Sequence, residues 1–413
     1  MIIRIGTITK NAIADCFFIT GAIVAVMTGL RVPRTPVGIG EALLFCWMIL
    51  SLVWCKPVDV EKRIYNYRLF SVRFWLILSA LFAVGTVVNI FFFQYTNSIR
   101  NIASLFFEFL LVYVLCTRYT PERIQKVVNM IAIFAVIWFG VLLLIATLKL
   151  PFPLKLMYGG RRFCGGADNP NTLATLLICI PFVAIWNLWK IVLGLKRISS
   201  KKIVGFVFWI IILILSFKES YATESDATKL SYILSIFAFV LFLLTSKMRD
   251  SVALFFIIAI FAIFIVVFFL LFDFAMPKAL EYFASYDHDS SRQTLWSNAF
   301  YKISESGGLG YGPGAFLDSG TVLNHWEAHN TVLDFAMQGG VLLAVVLVAI
   351  YVYGMFKLRY APILATGFFV LAVSSLAGYK ARKPWFWIFM IYFFSFICAK
   401  RRREVSIKTS KTI

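Results

Sequence analysis

Ile203-Val-Gly-Phe-Val-Phe-Trp-Ile-Ile-Ile-Leu-Ile-Leu-Ser-Phe217 is an almost unbroken apolar run. A strand in a membrane barrel presents lipid and lumen to alternate residues, so its sequence alternates in polarity. This run does not alternate, and it reads as a helix surrounded by apolar material. Similar runs recur along all 413 residues and leave no gap the size of a soluble domain. Composition agrees: 61% hydrophobic, only 15% charged and a mean hydropathy of +0.85 exclude an ordinary soluble globular chain. The expected fold class is an all-α integral membrane protein, one polytopic domain over residues 1–413.

A hydrocarbon core about 30 Å thick needs roughly 17 to 25 helical residues per crossing, which divides the chain into about twelve transmembrane helices. They run Ala12–Leu30, Val37–Cys55, Phe74–Tyr95, Ile102–Thr117, Val127–Leu148, Thr172–Leu193, Ile203–Phe217, Leu230–Ser246, Val252–Ala275, Thr331–Met355, Ala361–Gly378 and Trp385–Ala399. The fourth, seventh and last are short. The first is not read as a cleaved signal, because it is long, carries Asp15 and lacks a small-residue cleavage site before Arg31. A large external loop, 276–330, separates the ninth and tenth spans, and 400–413 form a basic tail.

The net charge of +20 is partitioned rather than uniform. With both termini cytoplasmic, 25 of the 40 Lys and Arg fall on the cytoplasmic side and 15 outside. This is the positive-inside pattern, and it removes the need for a nucleic-acid partner; membrane lipids are the expected neighbours. The seven cysteines form no disulfide framework: six lie in or at the ends of spans and Cys164 stands alone in a loop. Nor do His and Cys recur at zinc-ligand spacing, so no metal and no cofactor is expected. Asp287 and Asp289 are more simply read as helix-capping or solvated acids than as a cation site.

Basic residues outside are retained against the topological trend. Lys149 to Asn171 carries Lys155 and Arg161-Arg162, and the large loop carries Lys278, Arg292 and Lys302. The three lysines are read as snorkelling to headgroups. Within the large loop, Asp289, Ser290 or Ser291 can cap an amphipathic helix through about Ser304, with Leu295, Trp296, Ala299, Phe300 and Ile303 on its apolar stripe. Arg292 falls in the first turn, the unfavourable end for a cation, so the position asks for an anion: Asp287, Asp289 or a ligand. The run Gly308-Leu-Gly-Tyr-Gly-Pro-Gly314 lacks the preceding strand of a dinucleotide fingerprint and reads as a tight turn, able either to approach an anion or simply to reverse the chain.

His329 opens an apolar helix directly after this loop, and Asn330 can cap that helix or orient a neighbour. An external neutral imidazole can accept a proton from a sugar hydroxyl. His288 and His325 have no comparable neighbours and are read as loop residues.

Four segments occur in order: Tyr158-Gly-Gly-Arg-Arg-Phe-Cys-Gly-Gly-Ala-Asp-Asn-Pro-Asn-Thr-Leu-Ala174, Ser291-Arg-Gln-Thr-Leu-Trp296, Gly308-Leu-Gly-Tyr-Gly-Pro-Gly-Ala-Phe316 and Ala328-His-Asn-Thr-Val-Leu333. Together they resemble the O-antigen ligase and O-antigen polymerase superfamily, over about Leu148 to Leu343. The resemblance implies a metal-independent, inverting glycosyltransferase at the periplasmic face of the bacterial inner membrane. Its donor would be a glycan on undecaprenyl diphosphate, and its acceptor either a second lipid-linked glycan, for a polymerase, or lipid A-core, for a ligase. It also implies that His329 is the catalytic base and that Arg161 or Arg162, with Arg292, holds the diphosphate. Asn169, Asn171 and Asn330 would bind sugar or brace loops, and Asn169-Pro170-Asn171 reads equally well as a helix-entry turn.

The chain departs from that pattern at Thr223-Glu-Ser-Asp226, where relatives carry Ser-Arg, and Lys218 or Lys229 stands nearest as a substitute. Gln338 and Leu343 replace the family's glutamate and the ligase-like glycine. Polymerase is therefore preferred over ligase. A transporter or flippase for lipid-linked sugars is the competing class; Asp15, Glu41 and Glu108, in or near spans, support it, while the chain lacks related halves.

Overall fold

The computed structural model describes residues 2–33, 35, 37–58, 72–94, 99–193, 199–260, 262–263, 289–314, 327–378 and 380–410, the side chains of 2–9, 72–74, 289–294 and 398–410 excepted. His288, His325, Asp287 and Lys278 lie outside these residues.

The protein is mostly helical: α1 Ile2–Val24, α2 Ile39–Trp54, α3 Val72–Val88, α4 Ile99–Arg118, α5 Pro121–Thr147, α6 Pro170–Leu177, α7 Ile180–Leu193, α8 Ser200–Ala222, α9 Asp226–Thr245, α10 Asp250–Ile260, α11 Asp289–Glu305, α12 Thr331–Leu358, α13 Pro362–Ser375 and α14 Pro384–Ser410. Among the described residues, seven helical stretches are long and apolar enough to cross a membrane: Trp75–Phe93, Ile99–Arg118, Pro121–Thr147, Pro170–Leu193, Ser200–Ala222, Asp226–Thr245 and Thr331–Leu358. The apolar stretches of α2, α10, α13 and α14 are shorter. This is a multi-pass membrane protein. The fourth and seventh expected spans are longer than their apolar runs, because polar residues at both ends continue the helix.

Burial orders the bundle. From Trp385 to Phe394 every residue of α14 is at most 2% exposed, so this helix, apolar on all sides, is central. By contrast α8 and α9 leave Ile211, Ile214, Ile236, Phe237 and Val240 uncovered, the surface a lipid-facing helix presents. The helix α12 packs against α3, α13 and α14, while α11 lies on α12.

Three local breaks depart from plain helices. Pro181 follows the junction of α6 and α7, where it cannot supply an N–H to a continuous ladder. In α12, Gly339 and Gly340 leave helical geometry, Gly340 at φ +83°. The third is a small hairpin within the otherwise helical fold, β1 Met157–Tyr158 against β2 Arg162–Phe163, with Tyr158 opposite Arg162. Its turn uses Gly159 and Gly160 at φ +59° and +78°, open to solvent and free of the Cβ that would resist such angles.

A polar lock lies at the end of the bundle where α4 leads into α5. Arg123 donates to Asp15 at 2.8 Å, Tyr119 also donates to Asp15, and Trp47 donates to Tyr119 at 2.8 Å. Asp15, which supported the transporter alternative, is thus tied to an arginine.

Candidate functional site

The opposite end gathers the starts of α2, α4, α6, α9, α12 and α14, tied together by contacts such as Gly29 with Gly166, Arg382 with Asn101, Lys380 with Thr175 and Arg162 with Thr223. His329 stands immediately before α12, half-buried, with φ +51°. A left-handed conformation costs a non-glycine residue on the order of 1 to 3 kcal/mol, so the surroundings must hold it. They do so on both sides. The fully buried Asp334 accepts the Ala328 N–H at 3.0 Å through one oxygen and the Asn330 N–H at 3.3 Å through the other. Trp296 of α11 donates its indole N–H to the Ala328 carbonyl at 2.9 Å. Asn330 caps α12, its side-chain oxygen accepting from the N–H groups of Val332 and Leu333. Such a cap contributes about 1 kcal/mol; this geometry is the capping alternative for Asn330.

The wall of this site behind His329 is charged. Arg382, in the α13–α14 loop, donates to Glu327 at 2.9 Å and to Asn101 at 3.3 Å. Burial pushes the Glu327 carboxyl up, and the Arg382 charge beside it opposes that rise. Burial and the neighbouring Arg382 lower the Lys383 ammonium, while Glu41 and Glu327 pull the other way. The same loop is clasped to α12: Thr331 Oγ1 donates to the Gly378 carbonyl at 2.7 Å and accepts from the Lys380 N–H at 2.8 Å. The Lys380 ammonium then reaches across to Thr175 of α6, donating at 2.6 Å.

The hairpin supplies a second basic group. Arg162 donates to the Thr223 carbonyl at 3.2 Å and to Asn171 at 3.3 Å, and the more exposed Arg161 pairs with Glu224 at 3.5 Å. Both arginines therefore anchor the hairpin to the α8–α9 turn. Asn169 caps α6, accepting from the Asn171 N–H at 2.8 Å, which is the helix-entry alternative. Contacts run from Arg162 through Asn171 and, one turn on, Thr175 to Lys380 and Thr331, so the hairpin and the start of α12 share one surface.

Arg292 lies in the first turn of α11, and its side chain lies outside those described. It precedes Leu295, Trp296 and Ala299 by three, four and seven positions, the spacing of one helical face. That face is buried: Leu295, Trp296 and Ala299 pack with Ala328, Leu333 and Met337. Phe300, expected on the same stripe, is 46% exposed, since it falls about 100° round the helix from Ala299.

One other expectation needs correction. Lys302 does not snorkel: it is 3% exposed and donates to Glu305 at 2.7 Å, while Tyr311 donates to the same carboxylate at 2.6 Å. Although burial acts to raise the Glu305 carboxyl, these two partners hold it below its ordinary range. Cys164 is buried, with its thiol against the Lys155 carbonyl. Lys229 pairs with Asp226 at 3.4 Å. The glycine run mends α12: Tyr311 and Gly312 donate to the carbonyls of Met337 and Gln338, and Val341 donates to that of Gly308. Chain reversal, the simpler of its two readings, is thus joined to a packing role. Among the described residues, no group of three His, Cys, Asp or Glu side chains is placed to hold a metal.

Sequence reading placed Trp296 only on an apolar stripe and did not single out Asp334, Arg382 or Lys380. Only the last two left a signal, the basic run Lys380-Ala-Arg-Lys383. Residues 220–348, which contain α11, the glycine run and His329, match the family model described as O-antigen ligase, and this supports the O-antigen ligase and polymerase superfamily. No curated protein matches the chain.

Proposed function

We propose that this member of the O-antigen ligase and polymerase superfamily is a glycosyltransferase of the bacterial inner membrane, working at the periplasmic face on glycans carried by undecaprenyl diphosphate. The observation that best supports this reading is the clamp on His329, a costly backbone conformation maintained by Asp334 and Trp296 at the head of α12. Strain held in this way is characteristic of working residues. The family implies glycosyl transfer.

In the proposed reaction the acceptor hydroxyl attacks the anomeric carbon from the face opposite the diphosphate. A new C–O bond forms to the acceptor, the C–O bond to the diphosphate breaks, and the leaving diphosphate keeps the electron pair. His329 takes the hydroxyl proton, a contribution of about 10² to 10⁴ in rate. Arg292, and Arg161 or Arg162, stabilise the charge that accumulates on the diphosphate, as arginine forks do well. Inversion follows from the single displacement, and no metal enters this scheme.

Polymerase is the preferred specificity, with Gln338 and Leu343 departing from the ligase pattern. Deletion of the coding sequence, followed by electrophoresis of the lipopolysaccharide, tests the choice. Core bearing a single repeat indicates a polymerase, whereas bare core with accumulated lipid-linked polymer indicates a ligase. Unchanged lipopolysaccharide and other surface glycans would overturn both.

A further inference from the structure

A cavity of about 220 Å³ opens between α9, α10 and α12, lined by Leu234, Phe237, Leu241, Ile257, Ile260 and Met355. It is larger than the apolar cavity of about 150 Å³ that suffices to take up benzene. These walls are hydrocarbon, and Phe237 and Ile260 on the rim are exposed, so the cavity opens sideways toward lipid tails. Its depth follows from the helices around it. At the rise of an α-helix, Met355 lies ~5 Å from the end of α12, Leu234 ~16 Å from the end of α9 and Ile260 ~15 Å from the start of α10. Those three termini lie at the end of the bundle away from His329. In a hydrocarbon core about 30 Å thick, the cavity therefore occupies the half away from the candidate site.

Just beyond it the charge is one-sided. Lys247 and Arg249 stand in the turn from α9 to α10, Lys357 and Arg359 end α12, and in 246–250 and 356–361 Asp250 is the one acid. Asp250 joins the two helices: it pairs with the buried Arg359 and accepts from Tyr360 at 2.8 Å. Tyr360, Arg359 and, more weakly, Lys357 hold its carboxyl below the ordinary range, which places Lys357 close to it, and Arg249 is its neighbour in the chain. Lys247 and Arg249 are exposed and Lys357 is half-buried. After the Asp250–Arg359 pair, these three cations have no acid of their own in the two turns.

From an apolar slot beneath a one-sided patch of cations we infer that this cavity holds an acyl chain of an anionic phospholipid, with the lipid phosphate facing Lys247, Arg249 and Lys357. Basic residues at the membrane surface attract anionic headgroups, and the slot fixes where one such lipid is retained. The prenyl chain of the proposed donor fits less well, because its diphosphate would sit at the other end of the bundle and leave these cations unused. The lipid site lies outside the proposed transfer site and does not depend on it.

Purified full-length protein in detergent is titrated with dioleoylphosphatidylglycerol and, separately, with dioleoylphosphatidylcholine, and the lipid-bound fraction is read by native mass spectrometry. Wild type is expected to favour phosphatidylglycerol about tenfold, and Arg249→Gln combined with Lys357→Gln to bring it down to the phosphatidylcholine level. Ala238 also lines the cavity. Ala238→Phe fills it and should weaken phosphatidylglycerol binding about tenfold, the scale of two methylenes excluded from an apolar site, without lowering the melting temperature. Should Ala238→Phe fail to fold, Leu241→Trp fills the same space and carries the same expectation. Equal retention of the two lipids by wild type would overturn the inference, as would undiminished phosphatidylglycerol binding in the filled variants. Undecaprenyl phosphate that displaces phosphatidylglycerol from wild type at equal concentration would assign the cavity to the carrier lipid, and a dimer dissolved by Ala238→Phe would assign it to a second copy of the chain; either result overturns the phospholipid site.

Discussion

At the scale of single residues, the site is a histidine whose two peptide neighbours are held by one buried acid. Asp334 accepts the N–H on either side of His329. Asp334→Asn keeps the shape but offers one of those N–H groups a second donor in place of an acceptor. A buried unsatisfied N–H costs roughly 1 to 3 kcal/mol. The variant is expected to transfer glycan about five- to a hundredfold more slowly, by the same energy scale, with unchanged donor-binding stoichiometry. Radiolabelled donor binding and initial rates on matched membranes measure both, and a wild-type rate would show the clamp to be dispensable. Arg292→Lys should lose much of the activity and Arg292→Ala nearly all, at roughly 1.5 to 3 kcal/mol per charge-assisted contact. Wild-type transfer by Arg292→Ala would reduce Arg292 to an anchor of α11.

At the scale of elements, the decisive feature is the join between the glycine run and the break in α12. A Cβ on Gly340 would sit 2.6 Å from the Gly308 carbonyl at φ +83°, and one on Gly310 would sit 2.7 Å from the Gly340 N–H nitrogen. Gly340→Ala therefore has no relaxed place to go. It is expected to cost on the order of 1 to 3 kcal/mol or more and to lower the detergent melting temperature, whereas Gly307→Ala, with nothing within 4 Å, meets only its local φ of +61°. Equal melting temperatures for the two variants would contradict the join. Here the limits of sequence reading are physical. Apolar length made α4, α5, α8 and α9 legible, and helix period revealed the Leu295, Trp296 and Ala299 face of α11. The break in α12 was hidden because a glycine pair within an apolar run does not announce which distant backbone will dock there. Likewise Asp334 resembled any acid in a first helical turn, and only the fold shows that it accepts from residues on both sides of His329. The hairpin was hidden in a run of motif residues because two-residue strands have no measurable period.

At the scale of the whole molecule, the chain alternates so that the hairpin, α11 and the start of α12 share one end of the bundle, and the Asp15–Arg123 lock lies at the other. If the shared end is periplasmic, single cysteines placed beside Arg161, Arg292 and His329 in a cysteine-free background should react with an impermeant maleimide after the outer membrane is permeabilised. Lys196→Cys should not react, and the reverse pattern would invert the topology. The proposed division into one polytopic domain over 1–413, an external loop at 276–330 and a cytoplasmic tail at 400–413 stands or falls with the same labelling. The most direct measurement is glycan transfer from purified undecaprenyl diphosphate-linked donor by His329→Ala, in membranes with matched protein levels. The expected result is a rate lower by about 10² to 10⁴ with donor binding nearly intact, alongside wild-type activity that declines toward acid pH as an imidazole base protonates. Transfer by His329→Ala at the wild-type rate, or a loss wholly explained by failure to insert, would contradict the assignment of His329 as the base.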